Sequence, residues 1–270
     1  MIEKQWNTDK RLLCYKYLPF NNGSLNVIRN GTLKYTHPSD FNDPFETALV
    51  FNIKRLKDYS RSSSPLNMRV AEFKGLSPAE RVQNRSRWEH LLRKHLESGQ
   101  FTEEILQNIG ILSMSLNPTS PLMWAHYADC HRGFLVEFEF DTEIASEKDL
   151  LDMAPLEVIY SEDRPEIDLT NPDNWRDCVL TKSHEWSYEE EVRIIKNTGK
   201  GIHPYNRALF LKSVIAGARI SADNYTELQK AVKEASADIE RDVALYRARL
   251  SERHYKVFVP NHPITDLSSD

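Results

Sequence analysis

Strand-like segments are spread along most of the 270 residues, and the helices between them are very unequal in length. Arg11–Leu18 (RLLCYKYL), Leu33–Tyr35, Gly110–Leu116 (GILSMSL), Phe134–Phe140 (FLVEFEF), Leu156–Tyr160, the end of Trp186–Lys196 (WSYEEEVRIIK), Val214–Ile220 and Tyr255–Val259 read as strands. A short helix is expected from Leu25 to Gly31. Ser77, Pro78 and Glu80 form a capping box that opens a helix ending near Gly99, Thr102 caps another to Asn108, and Pro121–Asp129 makes one or two turns. Leu228, Val232, Ala235, Ile239, Val243, Tyr246 and Leu250 step by three or four and predict a long helix over 223–251. Strands mixed with unevenly placed helices argue for an α+β fold rather than regular βαβ winding. The length suits one domain over 1–270, with 54–108 as a helical insertion whose first part, 54–76, is a linker.

The net charge of −5 is unevenly distributed. Residues 54–94 carry 11 Lys/Arg against four acids, a balance of +7, whereas 135–190 carry 17 acids against four bases, a balance of −13. A polyanionic partner such as nucleic acid is therefore confined to the 54–94 stretch. Three cysteines, Cys14, Cys130 and Cys178, are too few and too far apart for a disulfide framework or a cysteine-only zinc site. No apolar run approaches the roughly 20 residues of a membrane helix, and Met1–Lys10 lacks an apolar signal core, so a cytoplasmic location is expected.

The chain lacks a GxGxxG after a strand, a GxxxxGK[ST] loop, GxSxG and HExxH. Glu72-Phe73-Lys74 matches only the tail of a nuclease ExK motif, without a strand pattern around it. Three polar-aromatic clusters remain. Phe41-Asn-Asp-Pro-Phe-Glu46 reads as a turn in which Asn42 or Asp43 caps backbone amides. Met123–Phe134 (MWAHYADCHRGF) reads as a packed aromatic helix or as a pocket wall that stacks a flat ring. His126, Cys130 and His131 lack the fourth ligand and the spacing of a zinc site. In Trp186–Arg193 (WSYEEEVR), an extended backbone places Glu189, Glu191 and Arg193 on one face, either as a surface ion-pair ladder or as a site that stabilises a developing cation.

Together these clusters, with Tyr15-Lys16-Tyr17 and Lys182, resemble the bacterial DUF2971 family across about residues 12–260. The aromatic first strand followed by Leu25…Ile28…Gly31-Thr-Leu33 is more distantly similar to the ADP-ribosyltransferase superfamily. That resemblance implies mixed sheets and NAD as substrate. A His or Arg on the first strand contacts NAD, a Ser or Tyr on a second strand contacts the nicotinamide side, and a later Glu is catalytic. The matching positions here are Lys16, Ser113 or Ser115, and Glu191, with Glu189 two residues earlier; Lys16 departs from the usual His or Arg.

On this reading Glu191 is catalytic and Glu189 orients the acceptor. Lys16, Tyr15, Tyr17, Ser113, Ser115, Trp124, His126 and Tyr127 bind NAD, and no metal is needed. The resemblance implies a bacterial toxin or anti-phage effector that transfers ADP-ribose or hydrolyses NAD. Two other functions fit the same clusters: a non-catalytic interaction module that docks a protein partner, and a hydrolase or nuclease using Asp129, His131 and Glu191 with a metal.

Overall fold

The computed structural model describes residues 11–46, 49–52, 75–83, 85–141, 143–146, 148, 153–167 and 175–269. Nearly all of the expected 54–76 linker, the Glu72-Phe73-Lys74 tripeptide and half of the basic 54–94 stretch lie outside the described residues.

In chain order the elements begin with β1 (Arg11–Leu18), α1 (Asn22–Arg29), β2 (Thr32–Tyr35) and β3 (Val50–Phe51). Next come α2 (Pro78–Gln83), α3 (Arg85–Glu97), α4 (Gln100–Leu106), β4 (Gly110–Ser115), α5 (Pro121–Tyr127) and β5 (Phe134–Asp141). The middle holds β6 (Leu156–Glu157), β7 (Ile159–Ser161), β8 (Glu166–Ile167), α6 (Trp175–Val179), β9 (Thr181–Ser183) and β10 (Glu191–Lys196). The last part holds β11 (Gly201–Pro204), α7 (Arg207–Phe210), β12 (Leu211–Ala216), α8 (Ala222–Asp238), β13 (Ala244–Arg247), β14 (Arg249–Leu250), β15 (Val257–Phe258) and α9 (Thr265–Ser268). Helices and mixed sheets make this an α+β architecture.

The spine is a seven-stranded sheet in the order β13-β12-β5-β1-β4-β10-β6. It is antiparallel except for the parallel β12–β13 pair. Strand alternation divides its side chains between two cores. Cys14, Met114, Val136, Phe138 and Val192 pack with Leu25 and Ile28 of α1 and Leu228 and Val232 of α8. Tyr15, Tyr17, Leu135 and Ile215 face the other way, toward Met123 and Trp124 of α5 and toward Ala248, Val257 and Val259. The helices are fixed at their starts by side-chain caps. Asn21 accepts from Ser24 N–H, Ser120 from Met123 N–H and Ser221 from Asn224 N–H. Among the described residues, no helix is long and apolar enough to cross a membrane.

The expected 223–251 helix is cut short. α8 stops at Asp238, Glu240 takes a left-handed φ of 52°, and Ser236 Oγ accepts the Val243 N–H. The chain then returns as β13, which pairs with β12 from Ser213↔Ala244 to Ala216↔Arg247. The apolar steps at Ile239, Val243 and Tyr246 continue the helical period, but the open edge of β12 offers a full hydrogen-bond ladder and wins. Thr102 is a second correction, because it lies inside α4, whose cap position is Gly99. The Ser77–Glu80 capping box does form: Glu80 accepts from Ser77 N–H, and Ser77 Oγ accepts from Glu80 N–H. Leu156–Tyr160 is two short strands in different sheets, β6 against β10 and β7 against β9.

Candidate functional site: the seam between β1 and β4

β1 meets β4 at one residue pair, Tyr15↔Ser115. On its other side β4 pairs with all of β10, from Glu191↔Ser115 to Lys196↔Gly110. Tyr15, Ser115 and Glu191 thus form one row across three strands. Away from that row the seam is open, and Lys16 ties it by donating to the Ser113 carbonyl at 2.6 Å. A cavity of about 240 Å3 lies here, lined by Tyr15, Lys16, Tyr17, Ser113, Ser115 and Tyr127 together with Glu189 and Glu191. Its other walls come from Phe41–Asp43, Glu46, Lys182 and Trp186.

Behind this wall lies a charged cluster that strand alternation alone does not disclose. Glu191 accepts from Arg193 at 2.9 and 3.0 Å and from Lys182 at 3.0 Å. Lys182 also donates to Glu189 at 2.5 Å and lies 3.7 Å from Glu46, whose other oxygen pairs with Arg193. Arg193 is fully buried and gives its remaining nitrogen to the Val179 carbonyl. Three carboxylates are therefore matched by Lys182, Arg193 and the nearby Lys16, which keeps the buried charges balanced.

The titration behaviour follows from this packing. Burial lowers the Lys16 ammonium to about 8, although Glu191 and Glu189 pull the other way. Burial raises Glu191 above the ordinary glutamate value, against Lys182 and the Ser113 hydroxyl. Burial also opposes the charge on Lys182, yet Glu191 and Glu189 outweigh it and hold that amine above its usual value. Arg193 is lowered by burial to about 9 and stays charged at neutral pH. A carboxyl pushed up and an amine pushed down in one cleft is the pattern that chemically active sites share.

Glu189 is not on the β10 strand. It ends the 3-10 turn His184–Glu189, and Glu190 follows in a left-handed conformation with φ 43°. That kink turns Glu189 into the same cavity as Glu191, where the Tyr127 hydroxyl donates to it at 2.6 Å. Ser115 Oγ donates to the Glu189 carbonyl at 2.6 Å and fixes the kink against β4. Glu191 and Arg193 are buried, so the surface-ladder alternative does not hold for them.

Eight of the ten residues singled out from the sequence line the cavity: Lys16, Tyr15, Tyr17, Ser113, Ser115, Tyr127, Glu189 and Glu191. Trp124 and His126 do not. Trp124 is wholly buried, with its indole N–H donating to the Pro118 carbonyl at 2.8 Å and its ring edge-on to Tyr17. It supports the cavity wall from behind. His126 is exposed, one helical position before Tyr127, and its Nδ1 sits 3.2 Å from the Tyr188 hydroxyl.

The residues missed as site members are Glu46, Lys182, Asp43 and Trp186. Asp43 accepts from the Trp186 indole at 2.9 Å and from Phe45 N–H at 2.8 Å, so the Phe41–Glu46 turn does cap an amide but also roofs the cavity. The signal was present as acids and aromatics in two segments far apart in the chain; their meeting depends on the tertiary fold.

Among the described residues no group of three or more His, Cys, Asp or Glu is placed to hold a metal ion, and His126, Cys130 and His131 do not form such a group. Asp129, Cys130 and His131 take φ values of 48°, 51° and 67°, a left-handed turn that closes α5 and lays the His131 ring parallel to Trp124. Asp129 pairs with Arg132 at 2.8 Å on the surface.

Residues 123–194 match the family model described as Protein of unknown function (DUF2971). The matched stretch runs from α5 to β10 and contains Tyr127, Lys182, Glu189, Glu191 and Arg193, the greater part of the charged cluster. No curated protein and no solved structure matches the chain.

Proposed function

We propose that the seam is an NAD site and that the protein cleaves the nicotinamide–ribose bond, passing ADP-ribose to an acceptor. The observation that carries this reading is the convergence of Lys16, Ser115 and Glu191 from three adjacent strands on one cavity with aromatic walls. The cavity, about 240 Å3, is at the small end of ligand sites. It suits the reacting nicotinamide riboside end of the dinucleotide and leaves the rest of it in the open part of the seam. The distant similarity to ADP-ribosyltransferases supports the same assignment of roles and an ADP-ribosyltransferase-like sheet.

The chemistry uses what the site offers. Tyr15, Tyr17 and Trp186 cover the nicotinamide ring and exclude water. The glycosidic C–N bond breaks with its electron pair leaving on neutral nicotinamide, and the ribose becomes oxocarbenium-like. Glu191, which accepts from Lys182 and Arg193, stabilises that cation in its ionised form from the ribose hydroxyl side. Lys16 meets a phosphate as a point charge, without the fork of an arginine. The acceptor's lone pair closes the new bond at the same carbon, and its proton passes to Glu189.

The test is release of free nicotinamide from NAD, with binding followed separately by calorimetry. Wild-type protein binds NAD and releases nicotinamide, whereas Glu191→Gln binds and does not release. Glutamine keeps the shape of the site, so loss of release is not loss of fold. Folded wild-type protein that neither binds NAD nor releases nicotinamide refutes the reading.

A further inference from the structure

A second surface, remote in sequence from the basic 54–94 stretch, carries an uncompensated positive charge. The turn after β12 and the segment 244–258 hold Arg219, Arg247, Arg249, Arg253 and Lys256, with Glu252 as the lone acid, a balance of +4 on a chain of net charge −5. Several cations elsewhere are paired with acids: Arg11 with Asp141, Arg29 with Glu227 and Glu234, Arg132 with Asp129, Lys200 with Asp40 and Lys212 with Glu139. None of the five on this surface forms an ion pair with a described carboxylate. Arg247 lies over the Tyr225 ring, and Lys256 donates to the Ser269 carbonyl, contacts that orient the cations without cancelling their charge.

The same surface presents flat groups. Tyr255 is 106% exposed, which is the full extent for a tyrosine, and it sits at the tip of the β14–β15 hairpin beside the exposed Arg253 and His254. The tip is tied internally. Ser251 Oγ accepts from Arg253 N–H and His254 N–H, and Ser251 N–H donates to the Lys256 carbonyl. Below the tip lies a groove of about 410 Å3 lined by Ala218, Arg247, Ala248, Arg249 and Leu250. The base is anchored, because Ala248, Val257 and Val259 are buried beneath it.

We propose that this hairpin and groove bind single-stranded nucleic acid. The guanidinium groups and Lys256 follow the phosphates along the groove, and Tyr255 and Arg253 stack on unpaired bases. Charge attracts the backbone of any nucleic acid, but a bare tyrosine beside arginines is used fully only by bases free to stack, which selects single strands over duplex. A membrane surface would call for a broad apolar face, and Leu250, at 48% exposure, is the one large aliphatic residue this patch offers. The inference stands apart from the NAD reading, since its measurement is binding in the absence of NAD.

The experiment is fluorescence anisotropy with labelled RNA and DNA single strands of about 12 nucleotides, within the range one binding fold covers. The matching duplexes and phosphatidylserine–phosphatidylcholine vesicles serve as competitors. Four phosphate contacts imply that affinity falls roughly 50-fold between about 50 and 200 mM salt. Tyr255→Ala weakens binding about 10-fold. Arg249→Glu with Arg253→Glu, both exposed and therefore without effect on Tm, abolishes it. Preference for RNA or for DNA in these arms identifies the natural strand. No binding at the lower salt, undiminished binding by the charge-reversed protein, or stronger competition by vesicles or duplex than by single strands overturns the proposal.

Discussion

Toward β5, β1 pairs residue by residue, from Arg11↔Asp141 to Leu18↔Phe134, whereas toward β4 it pairs at Tyr15↔Ser115 alone. The closed seam is lined by Val136, Phe138 and Phe140, all fully buried. The open seam is lined by Lys16, Ser113, Glu189 and Glu191. One strand thus serves as the middle of an apolar core on one side and as the wall of a polar cavity on the other. The contrast teaches that the polar groups are not merely tolerated in the sheet. They sit where the ladder has been opened and where a ligand would find both charge and space.

The two seams respond differently to substitution. Arg193→Met leaves Glu191 and Glu46 buried without their guanidinium, and unfolding free energy falls by about 3–5 kcal/mol. Phe138→Ala in the closed seam removes a similar amount, about 3–5 kcal/mol, through a cavity rather than an unpaired charge. Urea unfolding across pH separates the two. The Arg193→Met deficit shrinks as pH falls and the two glutamates are protonated, while the Phe138→Ala deficit does not change. Equal pH profiles would erase the distinction between the seams.

Lys16→Met sharpens the comparison from the ligand side. Burial of this amine opposes its charge, which offsets part of the loss of its bond to the Ser113 carbonyl and of its attraction to Glu191 and Glu189, so Lys16→Met lowers Tm much less than Arg193→Met does while NAD affinity falls at least about 10-fold. The pH dependence has a definite sign. The folded pKa is about 8 and the ordinary lysine value 10.5. Below 8 both folded and unfolded chains hold the proton, and the burial penalty is fully present. Between 8 and 10.5 only the unfolded chain holds it, so the stability of wild type relative to Lys16→Met rises with pH. NAD affinity falls across the same window as the ammonium is lost. Lys16→Arg removes both trends, and their persistence in that variant would assign them to another group.

How much of this was legible in the sequence follows the same division. Strand positions and the α+β class could be read because alternation and local pattern determine them, whereas the grouping of Lys16, Ser115 and Glu191 was implied by the resemblance alone, since no local pattern joins strands so far apart in the chain. The burial of Arg193 could not: in sequence a guanidinium between acids looks the same whether water or protein surrounds it. Glu46 and Asp43 were read as parts of a turn, which they are, but their contacts with Arg193 and Trp186 span well over a hundred residues of chain. Trp124 lies one helical turn before Tyr127 on the same side of α5, but its indole turns inward, donating to the Pro118 carbonyl and packing edge-on against Tyr17 instead of opening into the cavity. The overlong helix failed for the complementary reason, since a local period carries no information about a distant strand edge waiting for a partner.

The smallest effect concerns one hydrogen bond between α5 and the open seam. The Tyr127 hydroxyl donates to Glu189 Oε1 at 2.6 Å, while Lys182 holds Oε2. Tyr127→Phe deletes the first contact and leaves the second, so the carboxylate stays paired and the loss is about 1.5 kcal/mol, the low end for a bond to a charged group. Burial, with Glu189 adding to it, holds the phenol above its ordinary value, so it remains a donor throughout the neutral range. If Glu189 orients the acceptor and Glu191 acts on the ribose, this variant slows transfer to the acceptor more than it slows NAD cleavage. Equal slowing of both, measured as ADP-ribosyl product against free nicotinamide, would mean that the two carboxylates act as one unit rather than in separate roles.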